Sequence, residues 1–213
     1  SRLSVSVGRS AANFPEECWG TGRRRRALED LLLRRFGRQA DQFCFQARGS
    51  GKSGLITVSR PGQEILERTA CEAGEKGVLV RFEVGFPANG RTINARELEK
   101  ILFDYLPQCV EQSLFYAKTP KKELEAAMFL ADDQQFIREE LARLDLVAFV
   151  ADGAVLPRES GVSDRPMKGA VAFMAPASMA VTLELPRHGP LRGMGIPRGV
   201  TLIAGGGYHG KST

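Results

Sequence analysis

The sequence predicts an α+β domain followed by a β-rich segment that leads into a phosphate-binding loop, and three patterns carry that prediction. The final residues fit G-x-x-x-x-G-K-[ST]. Residues 27–145 combine one alternating strand with several amphipathic helices. From residue 146 onward, short apolar runs are separated by turns that contain glycine and proline. We therefore expect a basic arm over 1–26, with disorder as one interpretation, an α+β domain over 27–145, and the β-rich segment over 146–213.

The phosphate-binding loop carries glycine, lysine and serine at its fixed positions. In such a loop the glycines let backbone N–H groups surround phosphate oxygens, Lys211 reaches the β- and γ-phosphates, and the Ser212 hydroxyl ligates Mg²⁺. The apolar run at 200–204 predicts the preceding strand, so ATP and Mg²⁺ are the expected cofactors. The alternative is a glycine-rich tail that matches by chance. The predicted nucleotide-binding residues are Gly205, Gly206, Gly207, Tyr208, His209, Gly210, Lys211, Ser212 and Thr213, with Ser212 as the metal ligand.

The helix that normally follows such a loop lies outside this sequence, which ends at Thr213. We therefore expect the chain to be the front part of a larger protein, truncated at the loop, with no catalytic residue of its own and no ATP turnover. We also expect weak anion binding, with the residues from Gly206 onward exposed and mobile.

Positive charge is concentrated at the front of the chain. The net charge is +5, and residues 1–60 hold twelve Lys and Arg against five Asp and Glu. Because these side chains neutralise phosphates and release counterions, the asymmetry indicates a polyanionic partner; the family resemblance given below implies RNA. Residues 1–13 contain arginine and serine but no acid, as at the end of an organellar presequence, which would predict a mitochondrial location; a cloning scar or a disordered arm is the alternative.

The candidate RNA contacts surround a predicted helix. Residues 27–36 have leucines and Phe36 at helical spacing, with Gly37 as the expected C-cap. Four consecutive arginines at the start of that helix oppose its dipole, which favours phosphate binding against the alternative of a solvated face. The predicted RNA-binding residues are Arg23, Arg24, Arg25, Arg26, Arg34, Arg35, Arg38, Arg48 and Lys52.

Residues 42–58 predict a β-hairpin whose turn is the glycine-rich stretch 48–54. This stretch resembles a second phosphate-binding loop, but Gln46 stands where glycine is required and no strand-to-helix transition follows. Its glycines and two cations suit a loop that lies against a nucleic-acid backbone, and a plain surface turn is the alternative.

The middle of the chain predicts one strand and then helices. Residues 78–86 alternate apolar and polar side chains, which predicts a half-buried strand. A helix should begin at Asn94, with Glu97 as its capping-box partner, and Pro107 should break or kink it.

A further helix should begin with Thr119 as N-cap ahead of Pro120, with a restart at Asp132. The later elements are expected to be short and mostly extended. They are a hairpin at 146–156 that turns at Asp152-Gly153, a polar loop at 157–166, strands at 171–174 and 180–185, and a glycine-rich bend at 193–197.

Two classes of protein are disfavoured by composition. No apolar run approaches the about 18 residues that a membrane span requires, so no membrane partner is expected. The four cysteines are scattered and the chain has two histidines, which suggests neither a zinc site nor a disulfide framework, and makes a reducing compartment the default.

Several stretches resemble the ATPases of the ABC class. They are 151–158, 160–164, 193–197 and 199–213, and the front-domain stretch 86–91. The resemblance runs from about residue 40 to the end, and it implies an ABC-type ATPase domain that begins near residue 146 and ends here at its Walker A loop. It also implies ATP and Mg²⁺ at Lys211 and Ser212 and a homodimer of the complete protein. Arg158 and Asp164 match family motifs, and we interpret both as structural turn residues.

Two functions of different kinds follow. The first is an RNA-binding ATPase of the ABC class whose RNA binding is controlled by ATP, because the basic front end is similar to a family member that binds RNA in kinetoplastid mitochondrial RNA editing. The second is a nucleotide-dependent scaffold or assembly factor that docks an acidic protein. A metabolite kinase is less favoured, since kinases rarely place about two hundred residues of separate architecture before the loop.

Overall fold

The computed structural model describes residues 1–207. The chain forms two compact units, the first over Ser1–Met128 and the second beginning at Phe129. Both units mix helix with antiparallel sheet, which confirms the predicted α+β class. Within the described residues, no helix combines the length and the apolar character needed to cross a bilayer.

The first unit packs helices against a four-stranded antiparallel sheet. Its strands are β1 (Arg2–Gly8), β2 (Ile56–Thr57), β3 (Cys71–Gly74) and β4 (Gly77–Val84), with a small hairpin of β5 (Ala88–Asn89) and β6 (Thr92–Ile93). Its helices are α1 (Arg9–Ala12), α2 (Gly22–Phe43), α3 (Ala95–Glu99) and α4 (Leu106–Ser113), followed by α5 (Lys121–Arg143), within which the second unit begins.

Strand β4 is the centre of the sheet. Its alternating sequence buries Val80 and Phe82 and leaves Arg81 and Glu83 exposed, which confirms the predicted half-buried strand. One edge of β4 pairs with β1 along seven residue pairs, and the other edge pairs with β3 and then β2.

Residues 2–8, which the sequence placed in a basic arm with disorder as one interpretation, form a strand of the first sheet. Strand β1 pairs with β4 from Arg2 opposite Glu83 to Gly8 opposite Gly77. The apolar residues of β1 alternate with serines, so one face of the strand joins the apolar face of the sheet. The alternation of apolar residues and serines in the sequence was sufficient to predict this strand, but the positive charge of the region favoured the interpretation as a basic arm.

Helix α2 is longer than predicted and includes Phe43, which was predicted to lie in the first strand of a hairpin. It runs for 22 residues, with the Thr21 hydroxyl accepting a hydrogen bond from the backbone N–H of Arg24 at 3.5 Å. Gly37 lies inside the helix, where a Cβ would meet Val58 at 3.4 Å, so this glycine serves close packing against the chain after β2 and not a C-cap. Phe43 is therefore helical, and within 42–58 only the two residues of β2 form a strand.

The glycine-rich stretch 48–54 belongs to a closed loop attached to the end of β4. The Phe45 N–H donates to the Gly54 carbonyl at 2.7 Å and closes the loop. The Gly54 N–H donates to the Gly85 carbonyl at 2.9 Å, and the Ser53 hydroxyl accepts from the Ala88 N–H at 3.1 Å. The loop is thus stitched to the connection between β4 and β5.

The helix signals that depend on local capping were predicted well. The Asn94 side chain accepts from the Glu97 N–H at 3.3 Å and caps α3 as expected. A π-helical turn over Lys100–Tyr105 carries the chain into α4 without a break, so the expectation that Pro107 breaks the helix is wrong. Pro107, which has no N–H to donate, directly follows this π-helical turn.

Helix α5 begins one residue later than predicted. The Leu124 N–H bonds to the Pro120 carbonyl at 3.1 Å, whereas the Thr119 hydroxyl donates to the Phe115 carbonyl, so Thr119 is not the cap. The helix then passes through Asp132 without a restart.

The second unit contains a three-stranded antiparallel sheet of order β10-β11-β7 and a separate hairpin. Its strands are β7 (Leu146–Ala151), β8 (Arg158–Ser160), β9 (Ser163–Pro166), β10 (Ala180–Leu185) and β11 (Gly189–Pro197). Strands β7 and β10 were predicted with the correct bounds. The predicted polar loop at 157–166 contains the β8–β9 hairpin.

Four expectations for the second unit are wrong. The chain does not return at 154–156 to pair with β7; strand β11 takes that place. The expected bend at 193–197 is the end of β11. The glycines there allow close packing and form no bend, since a Cβ at Gly193 would overlap the Val150 carbonyl and one at Gly195 would lie 2.9 Å from Leu146. Residues 171–174 and 200–204 form no strand, although Phe173 exchanges backbone hydrogen bonds with Gly153 and Ala154.

The position of Gly85 gives a first prediction. A Cβ there would overlap the Lys52 carbonyl oxygen. That carbonyl accepts a hydrogen bond from the Leu55 N–H, and the Gly85 N–H donates to the Leu55 carbonyl, so the backbone on both sides is held in place. We expect Gly85→Ala to lower the free energy of unfolding by about 1–3 kcal/mol, measured by urea denaturation. Gly74→Ala, where a Cβ meets nothing within 4 Å, is the control and should change it by less than about 1 kcal/mol. Equal effects of the two changes would show that the loop around Lys52 moves away from residue 85 at little cost in free energy.

Candidate functional site

The structure describes the phosphate-binding loop only at its start. Gly205, Gly206 and Gly207 are exposed. The remaining predicted nucleotide-binding residues, Tyr208 to Thr213, lie outside the described residues, as does most of the segment expected to be mobile. The roles of Lys211 and Ser212 therefore stay predictions from the sequence pattern.

Arg34, one of the predicted RNA contacts, lies in a buried ion-pair cluster. The Asp30 carboxylate is 6 % exposed and contacts Arg34 Nε at 2.6 Å and Arg68 Nη1 at 3.2 Å. Arg34 Nη2 also donates to the Gly62 carbonyl at 2.6 Å. The cluster fastens the 61–68 segment to α2, so Arg34 has a structural role.

Arg35 is also used inside the fold. Its side chain is 11 % exposed and contacts Glu123 Oε2 at 3.0 Å, while Nη2 donates to the carbonyls of Gln112 and Lys118 at 2.8 Å each. Arg38 shares the Glu123 carboxylate at 3.6 Å. These contacts join α2 to the end of α4 and the start of α5. The contacts of Arg34 and Arg35 are with the protein, which gives both side chains structural roles and weighs against them as RNA contacts; that assignment stays a prediction.

The four consecutive arginines occupy the first turns of α2 and face different directions. Arg24 Nη1 donates to the Glu17 carbonyl at 2.9 Å, and Arg26 lies 4.0 Å from Glu67. Arg23 and Arg25 are exposed. Burial raises the pKa of Glu29 on the next turn, and its carboxylate accepts the Ala73 N–H at 3.0 Å. Of this cluster, Arg23 and Arg25 are the members placed to meet a ligand in solvent.

A second group of exposed cations lies on the loop that ends at Gly54. Arg48 and Lys52 are exposed there, and the Arg48 N–H donates to Glu97 Oε2 at 3.0 Å. Arg91, in the turn between β5 and β6, is exposed next to this loop, because Ser50 bonds to Ala88 at the start of the same hairpin. The sequence reasoning missed Arg91, although the preceding Asn-Gly pair is a strong hairpin signal.

The second unit contains a buried carboxylate pair that the sequence reasoning treated as ordinary scaffold. Asp132 and Asp133 of α5 are both buried and meet the turn between β10 and β11. Arg187 Nη2 lies 3.0 Å from Asp132, the Arg187 N–H donates to Asp133 at 3.0 Å, and His188 Nδ1 contacts the other Asp133 oxygen. The Arg187 guanidinium also lies 5.0 Å from the centre of the Phe129 ring. This cluster fixes the turn on the helix.

The two other family-motif residues lie on paired strands, Arg158 in β8 and Asp164 in β9. Asp152, in the adjacent motif, accepts the Ala175 N–H at 2.6 Å and contacts Arg192. Its pKa is lowered, first by that backbone hydrogen bond and then by the Arg192 contact. Asp152 thus holds the 171–175 segment beside β11.

The fold and the loop motif together define a P-loop nucleotide-binding protein with a separate α+β unit ahead of the loop. Two family models match the chain. The model described as "ATPase of the ABC class N-terminal" matches residues 1–117, and the ABC ATPase model described as "P-loop domain" matches residues 120–213. The chain therefore belongs to the family of ABC-class ATPases. No curated protein matches it.

The family match supports nucleotide binding by the second half of the chain, typically with Mg²⁺. The donor set fits that ligand, since backbone amides, an ammonium group and a hydroxyl suit a polyphosphate and its metal. The two matched ranges meet just ahead of α5, whereas the sequence placed a boundary near 145. That boundary stays a prediction.

The Asp30 cluster gives a second prediction. Asp30→Ala leaves two guanidinium groups facing a site without a carboxylate. Breaking a buried pair costs about 3–5 kcal/mol, and because Arg34 is 35 % exposed we expect a loss of about 2–3 kcal/mol in the free energy of unfolding. Asp41→Ala, which breaks the exposed pair with Arg60, should cost at most about 1 kcal/mol. Equal losses would mean that the cluster gains nothing from burial.

Proposed function

We propose that this ABC-class ATPase binds RNA on its basic first unit, and that nucleotide bound at Gly205–Thr213 controls that binding. The observation that carries the RNA part is the charge distribution, with twelve basic against five acidic residues in 1–60. Of the predicted cations, Arg23, Arg25, Arg48 and Lys52 are exposed at the surface. Such groups neutralise backbone phosphates without reading sequence.

The nucleotide part of the proposal rests on the loop pattern and the family. Lys211 binds the β- and γ-phosphates, the Ser212 hydroxyl ligates Mg²⁺, and the backbone of Gly206–Gly210 surrounds the phosphates. In this proposal, ATP binding at the loop changes the affinity of the first unit for RNA. Homodimerisation of the complete protein is part of the same proposal.

A role in mitochondrial RNA editing or processing is the narrower form of this proposal. Its support is the similarity of the basic front end to an RNA-binding family member of kinetoplastids. The pairing of Arg2–Gly8 with β4 weighs against residues 1–13 as a cleaved presequence, because a removable leader would not contribute a strand to the folded sheet.

A salt series tests RNA binding. We expect the full chain to bind a labelled single-stranded RNA with an affinity that falls steeply with salt. Arg23→Ala with Arg25→Ala should reduce the slope of log affinity against log salt by about 0.7 for each phosphate that the variant no longer neutralises. The matched control removes two exposed cations of α5, Lys121→Ala with Lys122→Ala, and should leave the slope unchanged.

Weak RNA binding at physiological salt, together with tight binding of an acidic polypeptide, would favour the scaffold function instead. An unchanged slope in the double arginine variant would remove these two residues from the site.

A nucleotide titration tests the loop. In the complete protein, Lys211→Ala should abolish binding of a fluorescent ATP analogue in the presence of Mg²⁺, because the lysine supplies the positive charge on the β- and γ-phosphates. The circular dichroism spectrum and the RNA affinity without nucleotide should stay unchanged. Retention of full ATP affinity by the variant would place the nucleotide elsewhere.

A further inference from the structure

Phe45 is placed where the fold would be better served by glycine. It follows Cys44, the C-cap of α2, and has φ 63°, in the left-handed region. With Cys44 extended and the Gln46 N–H bonded to the Phe43 carbonyl at 3.1 Å, Phe45 takes the third position of a type II turn, which usually holds glycine because a Cβ there costs free energy. The Phe45 side chain is 60 % exposed, so burial does not offset the cost. An exposed aromatic ring in a strained backbone position points to a function outside the fold.

Exposed cations lie on the same loop and on the turn bonded to it. Lys52 and Arg91 form no ion pair with any carboxylate among the described residues, whereas Arg48 lies beside Glu97. Glu97 is itself engaged, since its hydrogen bonds with Lys100 and the Arg48 N–H lower its pKa. The loop and the turn bonded to it therefore carry both exposed positive charge and an exposed aromatic ring.

The loop that carries these groups is held in one conformation. Ser53 is 6 % exposed, and its hydroxyl donates to the Ser50 carbonyl at 2.5 Å while accepting from the Ala88 N–H. Gly54 has φ 76°, and a Cβ there would lie 3.2 Å from the Phe45 Cα. A ligand that meets this loop pays little to order it.

We propose that the surface formed by loop 45–54 and the β5–β6 turn binds single-stranded RNA, with one base stacked on the Phe45 ring and backbone phosphates on Arg48, Lys52 and Arg91. The inference rests on the proposed function and names the form of RNA and its contact site. Aromatic side chains stack on unpaired bases regardless of sequence, and Lys and Arg follow the phosphates. A duplex does not offer a free base face to a single ring.

An acidic protein fits this surface less well. Carboxylates of such a partner would pair with the three cations, but they would give no role to the exposed ring at position 45. A glycine or asparagine there would keep the cations in place and suit the left-handed backbone better. The aromatic residue is explained by a partner with flat π faces.

The test is fluorescence anisotropy of a labelled twelve-residue oligouridylate titrated with the full chain over a salt series. Because stacking of one base on an aromatic ring is worth about 1–3 kcal/mol, Phe45→Gly should weaken binding about 5- to 150-fold without lowering the midpoint of thermal unfolding. Lys52→Ala with Arg91→Ala should reduce the salt slope by about 0.7 for each cation that meets a phosphate. Phe103→Ala, which removes a ring that is 72 % exposed on the π-helical turn, and Lys76→Ala are the controls and should change neither quantity.

The outcomes separate the inference from the proposed function. If the unaltered chain does not bind the oligouridylate at low salt, both are wrong. If it binds and the loop variants bind equally well, the loop site is wrong and RNA binding on the first unit stands. Equal affinity for a duplex RNA of the same length overturns stacking on Phe45, and so does a lower unfolding midpoint in Phe45→Gly, which would assign the ring a structural role. Displacement of the RNA by polyglutamate at equal charge concentration overturns the choice of partner in favour of an acidic protein.

Discussion

The first unit depends on the packing of α2 against the sheet formed by β1–β4. Leu28, Leu32 and Phe36 of the helix are fully buried, and the Phe36 and Phe82 rings lie 5.3 Å apart between helix and sheet. Each such side chain contributes about 1.5–3 kcal/mol when taken out of water. Because β4 also receives β1, β2 and β3, this one layer of apolar contacts determines where the loop after β4 and the end of α2 come together.

The arginines of α2 differ in whether they pair with carboxylates of the protein or are exposed to solvent. Arg34 and Arg35 extend from α2 toward Asp30, Glu123 and backbone carbonyls, and they bind distant segments to the helix. Arg23 and Arg25, nearer the start of the helix, are exposed. A guanidinium group whose Nη donors bond to carboxylates and carbonyls of the protein has little to offer a phosphate. Charge in the sequence therefore overstates the charge available to a ligand.

Glycine has different structural roles in this protein, and the sequence alone did not distinguish between them. Gly37 and Gly195 allow close packing inside a helix and a strand, whereas Gly54 supplies a left-handed backbone in a loop. Phe45 occupies a left-handed position without that freedom. Only the neighbours in space distinguish these cases, because the local sequence around each glycine looks equally suited to a turn.

The sequence by itself determined the features that depend on nearest neighbours along the chain. The alternation of β4, the cap at Asn94, the bounds of β7 and β10 and the phosphate-loop pattern are all of this kind, since their physical causes lie within a few residues. Only the tertiary structure decided that β1 completes the first sheet, that β11 pairs with β7 in place of a local hairpin, and that Arg34 and Arg35 face the protein. The alternation of β1 and the i,i+4 spacing of Asp30 and Arg34 are visible in the local sequence. The partners that decide these outcomes lie mainly far away along the chain, where no local pattern identifies them.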